Sequence, residues 1–291
     1  MEKEAVIKIQ NVTKSFKGFT LDIPALEIPK GFATALIGEN GAGKSTLINI
    51  LAGVRLDYKG EIEYFGGEKN EEVIREWTGY TGPGNYFMPH WTVESVGEIS
   101  GLLFDGFHLD RYQQLCRELG VDKKSTRIDK LSDGMKMKTM LSVVFARDTK
   151  MLLLDEPASP LDPLMRDTLC SMLRDYLEEG EGEKSVFFST HNIADMENVT
   201  DYAIIMEQGK VVEQGFVEDL KEKYVVVKGE PGQEDKVKNV LWGYRKNNYG
   251  YEGLCLAADL EKLAGLDIAV ETPTLSQISV AVMKKYTSLS K

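Results

Sequence analysis

Apolar and polar residues alternate with a period of two along 5–11 (Ala-Val-Ile-Lys-Ile-Gln-Asn) and 19–28 (Phe-Thr-Leu-Asp-Ile-Pro-Ala-Leu-Glu-Ile). This is the pattern of half-buried strands. Pro24 cannot donate to a ladder, which puts the second run at a sheet edge or a bend. Three later runs, 33–37 (Ala-Thr-Ala-Leu-Ile), 151–154 (Met-Leu-Leu-Leu) and 186–188 (Val-Phe-Phe), are short and apolar apart from Thr34, as strands covered on both faces are. Helical spacing fills the gaps, over 45–51, 164–177 and most of 86–150. In 135–146 the residues Met137, Met140, Leu141, Val144 and Phe145 fall on one helix face. Buried strands alternating with helices predict an α/β fold around a mostly parallel sheet. The run 178–183 (Glu-Glu-Gly-Glu-Gly-Glu) reads as a charged surface loop.

The pattern changes after about residue 220. Strands are expected at 224–228, 254–258 and 268–271, and a helix at 234–242. Thr272-Pro273 suits a helix start, Thr at the cap and Pro at the first helical position. Leu275, Ile278, Val282 and Met283 then supply one apolar face. Residues 221–291 therefore read as a small α+β appendage to a larger domain over 1–220. No internal repeat or low-complexity tract is visible.

A chain of 291 residues has the length of about two domains. It needs no disulfide or metal staple to bury a core. Lys and Arg number 35 against 46 Asp and Glu, a net charge of −11 without any basic run. Such a chain has no general electrostatic hold on nucleic acid or anionic lipid. A local phosphate site remains open to it, because backbone N–H groups bind phosphate whatever the net charge. No apolar stretch approaches the ~20 residues of a membrane span, and Met1-Glu2-Lys3-Glu4 does not begin a signal peptide. Cys116, Cys170 and Cys255 are odd in number and far apart. They read as reduced packing residues in a cytosolic protein.

Chemistry concentrates in three places. Gly38-Glu-Asn40-Gly41-Ala-Gly43-Lys44-Ser45-Thr46 fits G-x-x-x-x-G-K-[ST] and lies between a buried strand and a helix. Its glycines let successive N–H groups converge on phosphate oxygens at a helix N-terminus, Lys44 reaches the β/γ-phosphates, and Ser45 binds Mg²⁺. Asp155 and Glu156 end the buried run 151–154. Asp155 is placed to hold Mg²⁺, directly or through water, and Glu156 to orient or deprotonate the attacking water. By themselves, two acids before Pro157 are more often a solvated turn; with the phosphate loop upstream they indicate hydrolysis. Leu131-Ser132-Asp133-Gly134-Met135-Lys136 opens the helix over 135–146. It offers a hydroxyl, an unobstructed N–H and a positive dipole end, and on those six residues alone Ser132 reads equally as an N-cap.

With these motifs in this order, the chain resembles the ATP-binding subunits of ABC transporters over residues 5 to about 220. The family signature L-S-G-G-Q stands where this chain has Leu131 to Met135. The L-S-x-G-M-K form is similar to the branch serving bacterial exporters of peptides and antibiotics. The resemblance implies a RecA-like P-loop core, an antiparallel β-subdomain and a helical subdomain over about 86–150. It implies hydrolysis of ATP with Mg²⁺, and two subunits, identical or paralogous, paired head to tail. Lys44, Glu156 and His191 would carry catalysis, His191 matching the switch histidine that the run 185–190 delivers. Ser132, Gly134 and Asp162, the last in the loop Ser159-Pro160-Leu161-Asp162, would meet the partner's nucleotide. Phe16 matches the aromatic that stacks on adenine, although an aromatic on an N-terminal β-ribbon is by itself more often core. His90 and His108 lack metal-ligand spacing and read as loop residues. A separate integral membrane subunit would supply the pore, placing this chain on the cytoplasmic face of the membrane.

The chain departs from the family where a Gln is usual. In Gly79-Tyr-Thr-Gly-Pro83-Gly-Asn85, Pro83 holds that position. Proline has no side-chain oxygen for a metal and no amide for a water. Slow turnover is the expectation, with Asn85 as the nearby residue able to replace the ligand. Two other functions remain open: a soluble ABC ATPase unconnected with transport, and a nucleotide sensor of low turnover.

Overall fold

The computed structural model describes residues 4–82, 87–121 and 125–289. The expectations for residues 1–3 and for Pro83 and Asn85 lie outside the described residues. In chain order, β1 (Ala5–Phe16) and β2 (Phe19–Pro29) precede β3 (Ala33–Ile37), α1 (Lys44–Leu51), β4 (Lys59–Tyr64), α2 (Glu71–Trp77) and β5 (Thr78–Thr81). A helical stretch follows, α3 (Val93–Leu103), α4 (Leu109–Glu118) and α5 (Asp133–Phe145). Then come β6 (Met151–Leu154), α6 (Pro163–Glu179), β7 (Ser185–Thr190), β8 (Tyr202–Glu207), β9 (Lys210–Phe216) and α7 (Val217–Lys223). The chain closes with β10 (Tyr224–Gly229), α8 (Glu234–Val237), β11 (Trp242–Asn247), β12 (Gly250–Leu256), β13 (Ile268–Glu271) and α9 (Leu275–Leu289).

The central sheet has the order β5-β6-β7-β3-β8-β9, with β9 antiparallel to its neighbour and the remaining pairs parallel. Its strands alternate their side chains between two cores. Ala35, Leu154, Phe188 and Ile205 face α3 to α6 and α9, whereas Leu36, Leu153, Phe187 and Ile204 face α1 and the strands β1 and β2. Burial on both faces explains why these strands are apolar without alternation. A second, antiparallel sheet of order β2-β1-β4 covers α1's side of the molecule, and β2, which carries Pro24, lies at its edge. This is a P-loop NTPase α/β fold with an antiparallel β-subdomain. The helical stretch is fastened to the sheet edge by Arg147. Its guanidinium donates to the carbonyls of Arg75 and Glu76 in the last turn of α2 and to that of Thr78, where a cation complements the helix dipole.

The C-terminal residues form a sheet of order β11-β12-β10-β13. Two expectations are corrected there. The helix over 234–242 is only α8, because the Val240 and Leu241 amides fold back on the Val237 carbonyl and Trp242 enters β11. The strand over 254–258 is instead β12, ending at Leu256, and Ala257–Leu263 is a 3-10 turn. Cross-strand pairing of β11 with β12 outweighs the local helical spacing. Helix α9 forms on the expected apolar face but starts at Leu275: Thr274, not Thr272, is its cap, exchanging hydrogen bonds with Gln277, so Pro273 lies just before the helix and not at its first position. The helix's Leu275, Ile278, Val282 and Met283 join the same core as Ala203 and Ile205 of β8. Ile278, fully buried, therefore tests whether the two parts melt together. Ile278→Ala is expected to cost about 2–5 kcal/mol and to lower the midpoint of one shared calorimetric transition. A lowered transition confined to the C-terminal part would show two independent cores.

Candidate active site

Three parallel strands deliver the chemistry to one edge. β6, β7 and β3 are adjacent, with Leu154 paired to Phe188 and Thr190 to Ile37, so β7 and β3 end level and β6 two residues before them, on the same edge. Asp155 and Glu156 follow β6, His191 follows β7, and the glycine loop follows β3. Ligands of open α/β sheets bind at such strand ends. The loop requires its glycines: a Cβ on Gly38 would stand 2.6 Å from the Met206 carbonyl oxygen, and Gly43 caps α1 at φ +106°. No acid occupies the first turn of α1, so the positive end of that helix stays available to an anion.

Lys44 is buried at 5% exposure, its ammonium donating to the carbonyls of Gly38 at 2.7 Å and Glu39 at 3.2 Å. It also lies 3.3 Å from Glu156 Oε1. The other Glu156 oxygen, Oε2, is 2.8 Å from His191 Nδ1. The carboxylate is thus held between an ammonium and an imidazole, at 17% exposure. Glu156 has φ +52°, a left-handed backbone that costs a side-chain-bearing residue roughly 1–3 kcal/mol. Its N–H donates to Ser189 Oγ at 2.9 Å and its carbonyl accepts from the Ser159 N–H at 3.2 Å. These bonds hold the strained turn.

Asp155 is fully buried. Ser189 Oγ donates to its Oδ1 at 2.5 Å, while Oδ2 has no hydrogen-bond partner. An orphaned buried carboxylate oxygen is costly unless something completes it, and a divalent cation does so. Among the described residues no group of three His, Cys, Asp or Glu forms a metal cage. The metal that fits is Mg²⁺, which takes few protein ligands and the rest from phosphates and water; Asp155 and the exposed Ser45 hydroxyl are the donors on this chain. Ser189, whose hydroxyl serves both Asp155 and Glu156, was not singled out from sequence, although its place two residues before His191 is a signal.

The remaining candidates are more dispersed. Ser132 is exposed and caps α5, accepting from the Met135 N–H at 3.3 Å. Asp162 is exposed and caps α6. A Cβ on Gly134 would lie 2.8 Å from the Pro160 carbonyl oxygen, so the start of α5 abuts the loop after Glu156. Asn40, Glu156 and His191 share a cleft of about 360 Å³ with Asp133 and Lys136. Phe16 is 39% exposed, outside the core, with the Lys14 ammonium and Arg55 guanidinium each 5.2 Å from its ring. His108 pairs with Asp148 across the surface.

The profile of the ABC transporter family matches residues 21–159. The tungstate uptake system ATP-binding protein TupC of Peptoclostridium acidaminophilum is 32% identical over 217 residues, covering 72% of this chain and 99% of that protein. This chain belongs to the ABC transporter ATP-binding family. Human ATP-binding cassette sub-family A member 6 is also 32% identical, over 76% of this chain but only 14% of its own length. Among solved structures, a dimeric post-hydrolysis ATP-binding cassette bound to ADP and Pi superposes with a TM-score of 0.62 at 20% identity, covering 72% of this chain and 98% of that one. As a member of the ABC family, the chain binds ATP with Mg²⁺ and hydrolyses it. No helix among its described residues is long and apolar enough to cross a membrane.

Proposed function

We propose that this chain is the ATPase subunit of a membrane transporter, working in a head-to-tail pair beneath a separate membrane-spanning polypeptide. The observation that carries the reading is the convergence of Lys44, Asp155, Glu156 and His191 on one strand-end edge, with Glu156 touching both Lys44 and His191. In that arrangement Glu156 is the base for the attacking water, and His191 holds its carboxylate in place. Lys44 and the α1 N-terminus take up charge on the transferred phosphoryl, and Asp155 and Ser45 would hold the Mg²⁺ that supplies further neutralisation of phosphate charge. Ser132 and Gly134 would then serve the partner's nucleotide. The exposure of Ser132 and the half-buried place of Gly134 beside it at a helix start support that reading. Residues 1–220 form the ATPase part and 221–291 an appendage.

The Met135-Lys136 signature favours an exporter of peptides or antimicrobial compounds. TupC, named for uptake, supports the opposite direction. In either direction the chain would work at the inner face of a membrane. To test the transporter reading, the chain is tagged and isolated from solubilised membranes of its own host. A stoichiometric integral membrane protein whose reconstitution raises the ATPase rate is expected, and cargo movement in vesicles then gives the direction. Recovery only with ribosomes or DNA would make it a soluble ABC ATPase, and absence of turnover with any partner a sensor.

Phe16 supplies a second check, on the nucleotide. Its exposed ring beside two cations is placed to stack on a base. Since stacking contributes about 1–3 kcal/mol per base, Phe16→Ala is expected to weaken ATP binding about tenfold. Equal calorimetric affinity of variant and wild type would return Phe16 to a surface packing role.

A further inference from the structure

Arg166 lies in the first turn of α6 and belongs to none of the motifs discussed so far. Its guanidinium is divided between two segments that carry catalytic side chains. Nε donates to the carbonyls of Ala158 at 3.2 Å and Leu161 at 3.0 Å, both in the loop between Glu156 and Asp162. Nη1 donates to Asp195 Oδ2 at 2.7 Å. Asp195 ends the 3-10 turn that follows His191, and the same Oδ2 accepts from Asn192 Nδ2 at 2.9 Å. The Asn192 N–H in turn is fixed on Thr190 Oγ1 at 3.0 Å. One planar fork therefore fastens the loop after Glu156 to the turn after His191. The pair is about a quarter exposed on each side, so water competes only partly for these bonds.

The residues so fastened are those that must meet. Glu156 Oε2 and His191 Nδ1 are 2.8 Å apart, yet they come from different strands and lie at the starts of two loops. The loop held by Arg166 also touches the start of α5 at Gly134, through Pro160, and carries Asp162. Its position bears on both faces of the site.

Resting on the ATPase reading, we infer that Arg166 is a positioning residue for hydrolysis. Through Asp195 it keeps Glu156 and His191 in register, without itself touching nucleotide. Misplacement of a reacting group by about 1 Å costs on the order of 100-fold in rate. Arg166→Met is therefore expected to lower kcat about 10- to 100-fold, leaving KM for ATP and equilibrium ATP affinity within about threefold. Arg166→Lys keeps a charge for Asp195 but has no fork for two carbonyls, and should fall between. Because Arg166 acts through Asp195, the double variant Arg166→Met/Asp195→Asn should be no slower than the slower single variant.

A purely structural role predicts something else: a lower melting temperature with unchanged kcat per folded molecule. That result, or additive losses in the double variant, would overturn the inference. Should Arg166→Met fail to fold, Arg166→Lys and Asp195→Asn carry the same comparison. A readout independent of turnover is available because the chain has three histidines. Imidazole ¹⁵N signals, assigned with His90 and His108 variants, should show the His191 Nδ1 environment changing in Arg166→Met and the His108 signals unmoved. An unchanged His191 signal would overturn the clamp even in a chain that hydrolyses nothing, whereas absence of wild-type turnover would count against the ATPase reading alone.

Discussion

Glu156→Gln is expected to bind ATP at least as tightly as the wild type and to hydrolyse it about 10²–10⁴-fold more slowly, the usual worth of a positioned base. The amide is close in size and keeps a group able to hydrogen-bond His191, so the strained turn at φ +52° and its Ser189 bond have no reason to move. What it loses is the ability to take a proton from water. Affinity should not fall, because the Glu156 carboxylate lies 3.3 Å from the Lys44 ammonium and competes for its charge. ATP phosphates must compete for that ammonium in the wild type but not in the variant. Phosphate release measures the first effect and equilibrium titration the second. With hydrolysis blocked, ATP should also hold two subunits together on gel filtration. Wild-type turnover in the variant would remove Glu156 from the role of base. Weakened binding would instead show that the carboxylate orders the site for nucleotide.

The apolar runs 33–37, 151–154 and 186–188 were legible as buried strands because both faces of the central sheet are covered, which leaves Thr34 as the one polar residue among them. The residues at their ends could then be placed at one edge by the rules of parallel sheets alone. The appendage was harder. Residues 234–242 have helical spacing, but Trp242 is drawn into β11 by pairing with β12, a contact that local spacing does not contain. The β8–β9 hairpin is not legible either, since one strand is buried but for Tyr202 and the other half-exposed. Within the site, motif residues announce themselves by type and spacing. Ser189 and Arg166 do not, because each acts by joining segments that are far apart in sequence: Ser189 reaches across 34 residues to Asp155, and Arg166 across 29 to Asp195. Phe16 lay between these cases. Its place on a β-ribbon suggests core and the family resemblance an adenine stack; the structure leaves the ring at the surface.

Lys44→Ala should produce the converse defect, losing nucleotide first and turnover only as a consequence. The ammonium is buried, so its charge is little screened, and it is already desolvated against the Gly38 and Glu39 carbonyls. Moving onto phosphate oxygens therefore costs it little further water. Hydrogen bonds to a charged group contribute about 1.5–3 kcal/mol, which corresponds to a loss of about 10- to 100-fold in ATP affinity. The loss should be smaller for ADP if Lys44 also reaches the γ-phosphate. Arginine is no substitute, because its longer planar fork does not fit a pocket filled by a point charge at 5% exposure. Truncation also leaves Glu156 without its cation, so the nucleotide-free variant should melt at a lower temperature, His191 being the remaining neighbour of that carboxylate. The two effects separate in one experiment. Melting without ligand reports the broken ion pair, and the rise on adding ATP reports affinity, since stabilisation follows the ratio of ligand to Kd. If ATP raises the melting temperature of the variant as much as that of the wild type, Lys44 does not lie on the phosphates. Its contacts with Gly38, Glu39 and Glu156 would then be structural.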